Sequence, residues 1–274
     1  MSTKLSKCPN CFSPEGKVIF TVSGKKIFRC EKCGLVRTLG MIKVSYAEYH
    51  RDFDYIKFEN HFNNLFLKRF NIITKYINSG KILEIGCSTG LLLNIFKANG
   101  WDVWGIEPST SALEAENRGI KVFNIFFENA RLRENYFDLV ILNHTLEHFG
   151  KPVITLKKVH SILKKGGMVY VEVPNFGSLS SEILGKYWPY ILPDEHYYHF
   201  TPETLSNLLN KAGFKVRYIK TRSGIFDYEK PLQGLFEEII TRPKSFLVDF
   251  VTIPGSFFTT LINRGTSLTI IAEK

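Results

Sequence analysis

The chain has 274 residues, of which 44% are hydrophobic, and this is enough for a full core and a small accessory module. Its formal net charge is +10, and residues 1–45 carry nine Lys or Arg against two Glu, a local net charge of +7. A basic end favours an anionic partner such as nucleic acid, a phosphorylated small molecule or a membrane surface; the alternative is a lysine-rich module that is merely solvated.

The sequence lacks the features of an exported or membrane-spanning protein. No apolar segment follows the first residues, which argues against a signal peptide. The most apolar later stretch, residues 246–262, contains Asp249, Pro254 and Gly255 and is too short and interrupted to span a bilayer. We therefore expect a cytoplasmic protein.

Four of the five cysteines form two CxxC pairs near the N-terminus, at Cys8, Cys11, Cys30 and Cys33. Two such knuckles present four thiolates and predict a closed tetrahedral site for structural Zn²⁺. Disulfides are disfavoured because a chain without an export signal would fold in a reducing compartment. Iron in a rubredoxin-like centre is bound by the same kind of knuckles, so the sequence does not decide between zinc and iron. Residues 1–44 are therefore predicted to form a zinc-ribbon module.

Residues 45–78 connect this module to the rest of the chain. The segment 45–58 is rich in tyrosine, phenylalanine and charge and predicts a connector that folds over a pocket. Apolar residues then recur at helical spacing from residue 59 to residue 78, and Ser79 and Gly80 end the run. We expect this helix to lie against the sheet that begins at Lys81.

Residues 81–90, KILEIGCSTG, indicate a strand, a glycine turn and the start of a helix. Small residues at such a turn allow a ligand to approach the backbone, although many turns of this kind only pack a strand against a helix. The next strand, DVWGIEPS, ends at Glu107, where the second strand of a βαβ unit commonly presents a carboxylate to ribose hydroxyls.

Strands and helices continue to alternate along the chain. KVFN, FDLVILN, MVYVEVPN, KVRYIKTRS and SLTIIAEK read as further strands, and helices begin at Pro152 and Pro202. This alternation predicts an α/β fold, a parallel sheet with helices on both faces. Residues 176–200 are aromatic and polar and predict a lid or substrate wall above the strand ends. Residues 224–266, with three prolines, predict an irregular amphipathic insertion.

The segment HTLEH, residues 144–148, also fits a zinc-peptidase pattern. That chemistry needs both histidines on one face of a long helix. Here the segment directly follows a strand and precedes a helix that begins at Pro152, so the peptidase interpretation is disfavoured.

The order of these motifs resembles the class I S-adenosylmethionine-dependent methyltransferases. LEIGCSTG is similar to their glycine-rich motif, GIEPS to the ribose-binding acid, FDLVILNHTLEH to the fourth-strand motif, and LKKGGMVYVEVPN and HYYHFTPETLSNLLNKAGF to later segments of one subgroup. The resemblance covers about residues 60–223 and the last strand. It implies a Rossmann-like, seven-stranded, mostly parallel sheet with an antiparallel last strand, and a methyltransferase domain at residues 79–274.

The resemblance also implies a set of cofactor-binding residues. Gly86, Cys87, Ser88 and Gly90 would contact the methionine part of S-adenosylmethionine, and Glu107 would bind the ribose hydroxyls. The set is completed by Pro108 and Phe127 beside the adenine, by Asn143 or His144 near the methionine amino group, and by Glu84 in the strand before the turn. Cys87 is expected to be a small packing residue and not a nucleophile.

His196 is the candidate general base, since imidazole titrates near working pH and the adjacent Glu195 would orient it. Deoxysugar methyltransferases implicate a Glu-His pair at the matching position. The alternative is that His196 closes the lid. His148 is the less favoured candidate, because a histidine just past a strand is often a packing residue bonded to backbone.

The N-terminal cysteine module resembles that of members associated with sugar and surface-polysaccharide biosynthesis. We therefore expect methyl transfer to a hydroxyl of a small-molecule acceptor, most simply an anionic sugar derivative. The deoxysugar C-methyltransferases carry a further large C-terminal domain, and the chain departs from them in this respect. One alternative is an RNA methyltransferase that docks through the basic ribbon, and another is a non-catalytic zinc-ribbon assembly module on this fold. The insertion 224–266 is a candidate for contact with a membrane surface, a partner subunit or the substrate; the oligomeric state is left open.

Overall fold

The computed structural model describes residues 7–40, 57–233, 235 and 243–274, with the backbone alone for 243–250. Most of the predicted connector, residues 45–56, lies outside the described residues. The strands are β1 (Gly16–Val22), β2 (Lys25–Cys30), β3 (Val36–Leu39), β4 (Lys81–Ile85), β5 (Asp102–Ile106), β6 (Lys121–Phe123), β7 (Phe137–Asn143), β8 (Leu163–Pro174), β9 (Tyr198–His199), β10 (Lys215–Arg222) and β11 (Ser267–Glu273). The helices are α1 (Glu59–Ile73), α2 (Leu91–Ala98), α3 (Ala112–Asn117), α4 (Pro152–Ile162), α5 (Leu179–Leu184), α6 (Pro202–Lys211) and α7 (Pro243–Leu261).

The larger sheet has seven strands in the order β10-β11-β8-β7-β4-β5-β6. Strands β4 to β8 pair in parallel, and β11 lies antiparallel between β8 and β10. This confirms the predicted mostly parallel sheet with an antiparallel last strand. Connections through helices keep the carboxyl ends of the parallel strands at one edge of the sheet, where ligands commonly bind in this architecture.

Both faces of the large sheet are buried, as the near-continuous apolar runs of its central strands indicate. Ile82 of β4 belongs to a hydrophobic cluster with α1 and α2, whereas its neighbour Leu83 belongs to a second cluster with α4 and α6. Successive side chains of a strand point to opposite faces, so one strand serves two cores. The predicted helices on both faces are therefore present.

A smaller antiparallel sheet has the strand order β1-β2-β3-β9. Its first three strands come from the cysteine-rich region, whereas β9 comes from residues 176–200. This segment, predicted as a lid without strand character, contributes Phe176, Trp188 and Ile191 to a hydrophobic cluster with Ile27 and Val36. The segment thus packs its apolar side chains against the cysteine-rich strands and extends their sheet through β9.

The predicted irregular insertion contains a long helix. α7 begins at Pro243, where a missing N–H costs nothing, and it carries Pro254 inside. The prolines therefore do not prevent regular structure here. Among the helices within the described residues, none combines the length and apolar character that crossing a bilayer requires.

Candidate functional site

A cleft of about 880 Å³ opens at the carboxyl edge of the large sheet. Its walls come from the ends of β4, β5 and β7 and from the turns that follow them. The lining residues are Ile85, Gly86, Ser88, Ile106, Glu107, Pro108, Phe126, Phe127, Glu128, Asn143, His144, Thr145, His148 and Phe149. Predicted donor-site residues from three separate motifs, together with Phe127, therefore share one cavity.

The glycine turn forms one wall of the cleft. The backbone of Gly86 has φ +76°, and a Cβ added there would lie 2.8 Å from Thr145 Oγ1, so a side chain would collide with the turn after β7. The Ser88 N–H donates to Glu107 Oε2 at 2.9 Å and ties the turn to the end of β5. The turn and the acidic residue are thus built as one unit.

Glu107 is held by backbone groups on both sides. Its Oε1 accepts a 2.9 Å hydrogen bond from the Ser109 N–H, while Oε2 accepts the bond from Ser88. Two backbone donors therefore fix the orientation of this carboxylate at the edge of the cleft.

Gly90 and Cys87 belong to the turn and also allow neighbouring elements to pack closely against it. A Cβ at Gly90 would lie 2.5 Å from Ile120 Cδ1, so the missing side chain lets the α3 region pack closely, and Gly90 lies outside the cleft lining. Cys87 Sγ would lie 2.5 Å from a Cβ on Gly105. It fills space against β5, which agrees with the expected packing role.

A smaller hollow of about 280 Å³ adjoins the cleft and shares Gly86, Ser88 and Asn143 with it. Glu84 lines this hollow, is only 3% exposed, and its Oε2 has no hydrogen-bond partner among the described residues. Burial, and then the charge of Glu107, raise the pKa of Glu84 well above its ordinary value. Such a carboxyl is a ready partner for a cationic group.

Asn143 is oriented by a buried network that sequence reasoning missed. Arg69 of α1 donates from Nε to Asn143 Oδ1 at 3.1 Å and forms a buried ion pair with Glu172, which also accepts from Tyr170. Since an arginine only donates, Asn143 must turn its oxygen to Arg69 and its amide NH₂ elsewhere. The sequence signal that could have revealed this network is Arg69, an arginine on the apolar face of the helix predicted from residue 59.

His144 stands at the junction of the cleft with the acidic groups behind it. Its backbone has φ +51°, its Nδ1 lies 3.6 Å from Glu147 Oε1, and its Nε2 lies 3.5 Å from Glu172 Oε1. Burial lowers the pKa of His144, but Glu147 and Glu172 outweigh this effect and raise the pKa to about 9. A cationic imidazolium therefore faces the cleft at neutral pH.

The two candidate bases, His148 and His196, lie at different depths relative to the cleft. His148 lines the cleft and its Nδ1 lies 3.0 Å from the backbone oxygen of Glu195. His196 lies outside the cleft lining at 3% exposure, with its ring centroid 4.9 Å from that of His148. The structure thus places His148, the less favoured candidate, in the lining of the cleft, where it contacts the backbone of Glu195.

The four N-terminal cysteines converge. All four sulfurs lie within 4.8 Å of one another, with Cys8 Sγ 3.5 Å from Cys33 Sγ and Cys11 Sγ 3.4 Å from Cys30 Sγ. Zinc–sulfur bonds of about 2.3 Å in a tetrahedron need sulfur separations near these values. The donor set therefore fits a closed tetrathiolate metal site, consistent with a zinc ribbon.

Residues 55–219 match a protein family described as "Methyltransferase domain". The "Ubiquinone biosynthesis O-methyltransferase" of Cereibacter sphaeroides is 28% identical over 146 residues, 48% of this chain and 59% of that protein. An uncharacterised protein of Methanocaldococcus jannaschii is 27% identical over 184 residues, 65% of this chain and 82% of that protein. The chain thus spans well under two thirds of the Cereibacter protein.

Solved structures share the fold. A SAM-dependent methyltransferase of Archaeoglobus fulgidus superposes with a TM-score of 0.57 at 21% identity, covering 83% of this chain and 100% of that chain. Phosphoethanolamine N-methyltransferase 2 of Haemonchus contortus, in complex with phosphomonomethylethanolamine and S-adenosylhomocysteine, gives a TM-score of 0.61 at 16% identity, covering 87% and 62%. Because the matched residues 55–219 are more than half of the chain, it belongs to this family of methyltransferase domains.

Proposed function

We propose that this chain transfers a methyl group from S-adenosylmethionine to a hydroxyl of a small anionic acceptor, with a sugar derivative as the first acceptor to test. One observation carries the proposal: the cleft that contains Gly86, Ser88 and Glu107 also contains His144 and His148. Donor-binding groups and groups suited to an acceptor therefore lie along one cavity.

The residues present fit the donor. Oε2 of buried Glu84, which has no hydrogen-bond partner among the described residues, suits the methionine ammonium, and Glu107 suits the ribose hydroxyls. Pro108 and Phe127 also line the cleft and are the residues proposed to flank the adenine ring. Because Asn143 gives its oxygen to Arg69, its amide NH₂ suits the methionine carboxylate better than the amino group.

The acceptor end supports an anionic hydroxyl compound. The imidazolium of His144 supplies a positive charge at the cleft, and relatives of this chain are named O-methyltransferases. Methyl transfer is an in-line displacement from a sulfonium, so the protein mainly aligns the acceptor and removes its proton. We propose that the cluster of Glu147, His148 and His196 promotes the loss of that proton.

The cysteine cluster is proposed to hold structural Zn²⁺. We divide the chain into a zinc-ribbon module at 1–44, a linker and helix at 45–78, and a methyltransferase domain at 79–274. Lys25, one of the basic ribbon residues, already pairs with Asp194 at 2.6 Å, which ties part of the ribbon's charge to the segment 176–200. RNA therefore enters the test as a competing substrate.

The test combines donor binding with a substrate panel. Calorimetry should detect S-adenosylmethionine binding to the full chain, and Glu107→Ala should weaken it by roughly tenfold or more, since hydrogen bonds of a carboxylate contribute about 1.5–3 kcal/mol. Glu116→Ala, on an exposed face of α3, is the matched control. Radiolabelled methyl transfer to nucleotide sugars would support the proposal, whereas labelling of RNA alone, or donor binding without turnover on any acceptor, would contradict it.

A further inference from the structure

We propose that Glu147, His148 and His196 bind a divalent transition-metal ion, with Zn²⁺ as the first probe, at the acceptor end of the cleft. This site is separate from the four-cysteine cluster. The inference rests on the proposed function for its catalytic use, but metal binding itself is independent of turnover.

The donor atoms already converge. One nitrogen from each histidine and one carboxylate oxygen of Glu147 lie within 4.8 Å of one another. Metal–ligand bonds of about 2.0–2.2 Å need donor separations of roughly 3–3.5 Å, so the side chains would close by on the order of 1 Å. Two histidines and one carboxylate form a common ligand set for Zn²⁺ and other divalent transition metals, with positions left for a substrate.

The cluster is buried with its polar atoms unsatisfied. Glu147 is 1% exposed, and neither of its carboxylate oxygens has a hydrogen-bond partner among the described residues. The same holds for Nδ1 of His196, which is 3% exposed. Burying a carboxylate and an imidazole without partners is unfavourable, and a metal ion would satisfy both at once.

The ligands are held in place by two segments bonded to each other. The Tyr197 N–H donates to the Glu147 backbone oxygen at 2.8 Å, and Nδ1 of His148 pairs with the Glu195 backbone oxygen at 3.0 Å. A carbonyl on Nδ1 fixes the tautomer whose Nε2 lone pair is free for a metal, and this contact commonly orients histidine ligands. The site is thus preorganised.

His144 alone does not satisfy the cluster. Its Nδ1 approaches Glu147 Oε1 only to 3.6 Å, which is too long for a hydrogen bond, and its other nitrogen faces Glu172. The His144 imidazolium balances the charge of Glu147, but it donates no hydrogen bond to the Glu147 carboxylate or to Nδ1 of His196. A cation between Glu147, His148 and His196 accounts for all three side chains.

A metal here would activate the acceptor. An acceptor hydroxyl that occupies an open coordination position loses its proton to solvent more readily, because a divalent ion lowers the pKa of a bound O–H. The resulting oxygen attacks the methyl carbon as the carbon–sulfur bond breaks. The bonding pair goes to sulfur, and the sulfonium becomes the neutral thioether of S-adenosylhomocysteine.

Metal content of the full chain tests the inference. After saturation with Zn²⁺ and removal of free metal, the protein should hold two equivalents, and Glu147→Gln or His148→Ala should hold one. Reconstitution with Co²⁺ should give a tetrathiolate spectrum in every protein and an additional nitrogen–oxygen spectrum that both variants lose. His160→Ala, a histidine outside the cluster that packs against Phe214, is the matched control and should retain two equivalents.

Two measurements separate this inference from the proposed function. S-Adenosylmethionine binding and circular dichroism report whether each variant is folded, and His148→Ala serves if Glu147→Gln does not fold. One zinc equivalent in the unaltered protein, or two in both variants, would overturn the metal site even if methyl transfer occurs. Two equivalents that fall to one in the variants would support the site even if the tested acceptors are not methylated.

Discussion

At the scale of single residues, two carboxylates in adjacent strands have opposite surroundings. Glu107 follows β5 and accepts from two backbone N–H groups, so its charge is stabilised without a ligand. Glu84 lies within β4, and its Oε2 has no hydrogen-bond partner among the described residues. Burial, and then the charge of Glu107, raise the pKa of Glu84. Ionisation of Glu84 therefore destabilises the folded protein unless a cationic group binds beside it.

This contrast predicts opposite effects of Glu84→Gln on stability and on binding. An acid with a raised folded-state pKa loses stability as pH rises above its ordinary value of 4.5, so at pH 7 the neutral glutamine should increase the free energy of unfolding of the ligand-free protein. The same change should weaken S-adenosylmethionine binding by about 10- to 100-fold, because a charge-assisted contact is lost. Urea denaturation and calorimetry measure the two effects. Glu116→Gln should change neither, and a variant that is both less stable and unchanged in affinity would refute the assignment.

At the scale of elements, strand β9 joins the cysteine-rich sheet to the candidate acceptor site. Val36 of β3 pairs with His199, and Thr38 donates from Oγ1 to the His196 backbone oxygen at 2.8 Å. Thr38 Oγ1 also lies 3.0 Å from Nε2 of His199. The position of His196 is thus set by a strand from the far end of the sequence.

Thr38→Val tests this coupling. Valine has nearly the same shape but leaves the His196 carbonyl and a His199 nitrogen without their partner, so the free energy of unfolding should fall by about 1–3 kcal/mol. Methyl transfer should slow while the affinity for S-adenosylmethionine stays the same, because the donor residues lie on other elements. Thr21→Val, on the exposed face of β1, is the control. Equal losses in donor affinity and turnover would argue against a specific effect on the acceptor end.

At the scale of the whole molecule, the two sheets share a hydrophobic interior. One core cluster contains Cys8 and Leu35 from the cysteine-rich region together with Phe200 and Leu208 from the large-sheet side. An isolated parallel bridge between Asn175 and Phe200 continues β8 toward the small sheet. A change at the cysteine cluster should therefore affect the stability of the protein beyond strands β1 to β3.

We expect Cys33→Ser to lower both zinc content and thermal stability. Loss of one thiolate should remove about one zinc equivalent and reduce the melting temperature by roughly 5–10 °C, since metal binding contributes directly to folding free energy. Cys87→Ser changes a cysteine outside the cluster and should retain the full zinc content. Elemental analysis and calorimetric melting measure the result. An unchanged metal content in Cys33→Ser would rule out the tetrathiolate site.

Much of the large sheet was predictable because its cues are local. Apolar runs, glycine turns and helix-initiating prolines placed nearly every strand, and the paired CxxC knuckles placed the four cysteines together. The segment 176–200 was harder, because β9 has only two residues and is a strand solely through its pairing with β3. The helix α7 was missed because prolines that open or interrupt a helix are read locally as breaks.

The sequence by itself determined the order of elements, the glycine turn, the acid at the second strand and the cysteine knuckles, since each depends on spacing within a few residues. Only the tertiary structure decided which of these residues contact one another. It brought Arg69 to Asn143 and set His196 behind His148 beside Glu147. It also left Glu84 Oε2 without a hydrogen-bond partner in the part of the chain that the structure describes. These contacts join residues far apart in the chain, and their energies depend on burial, which is a property of the folded molecule.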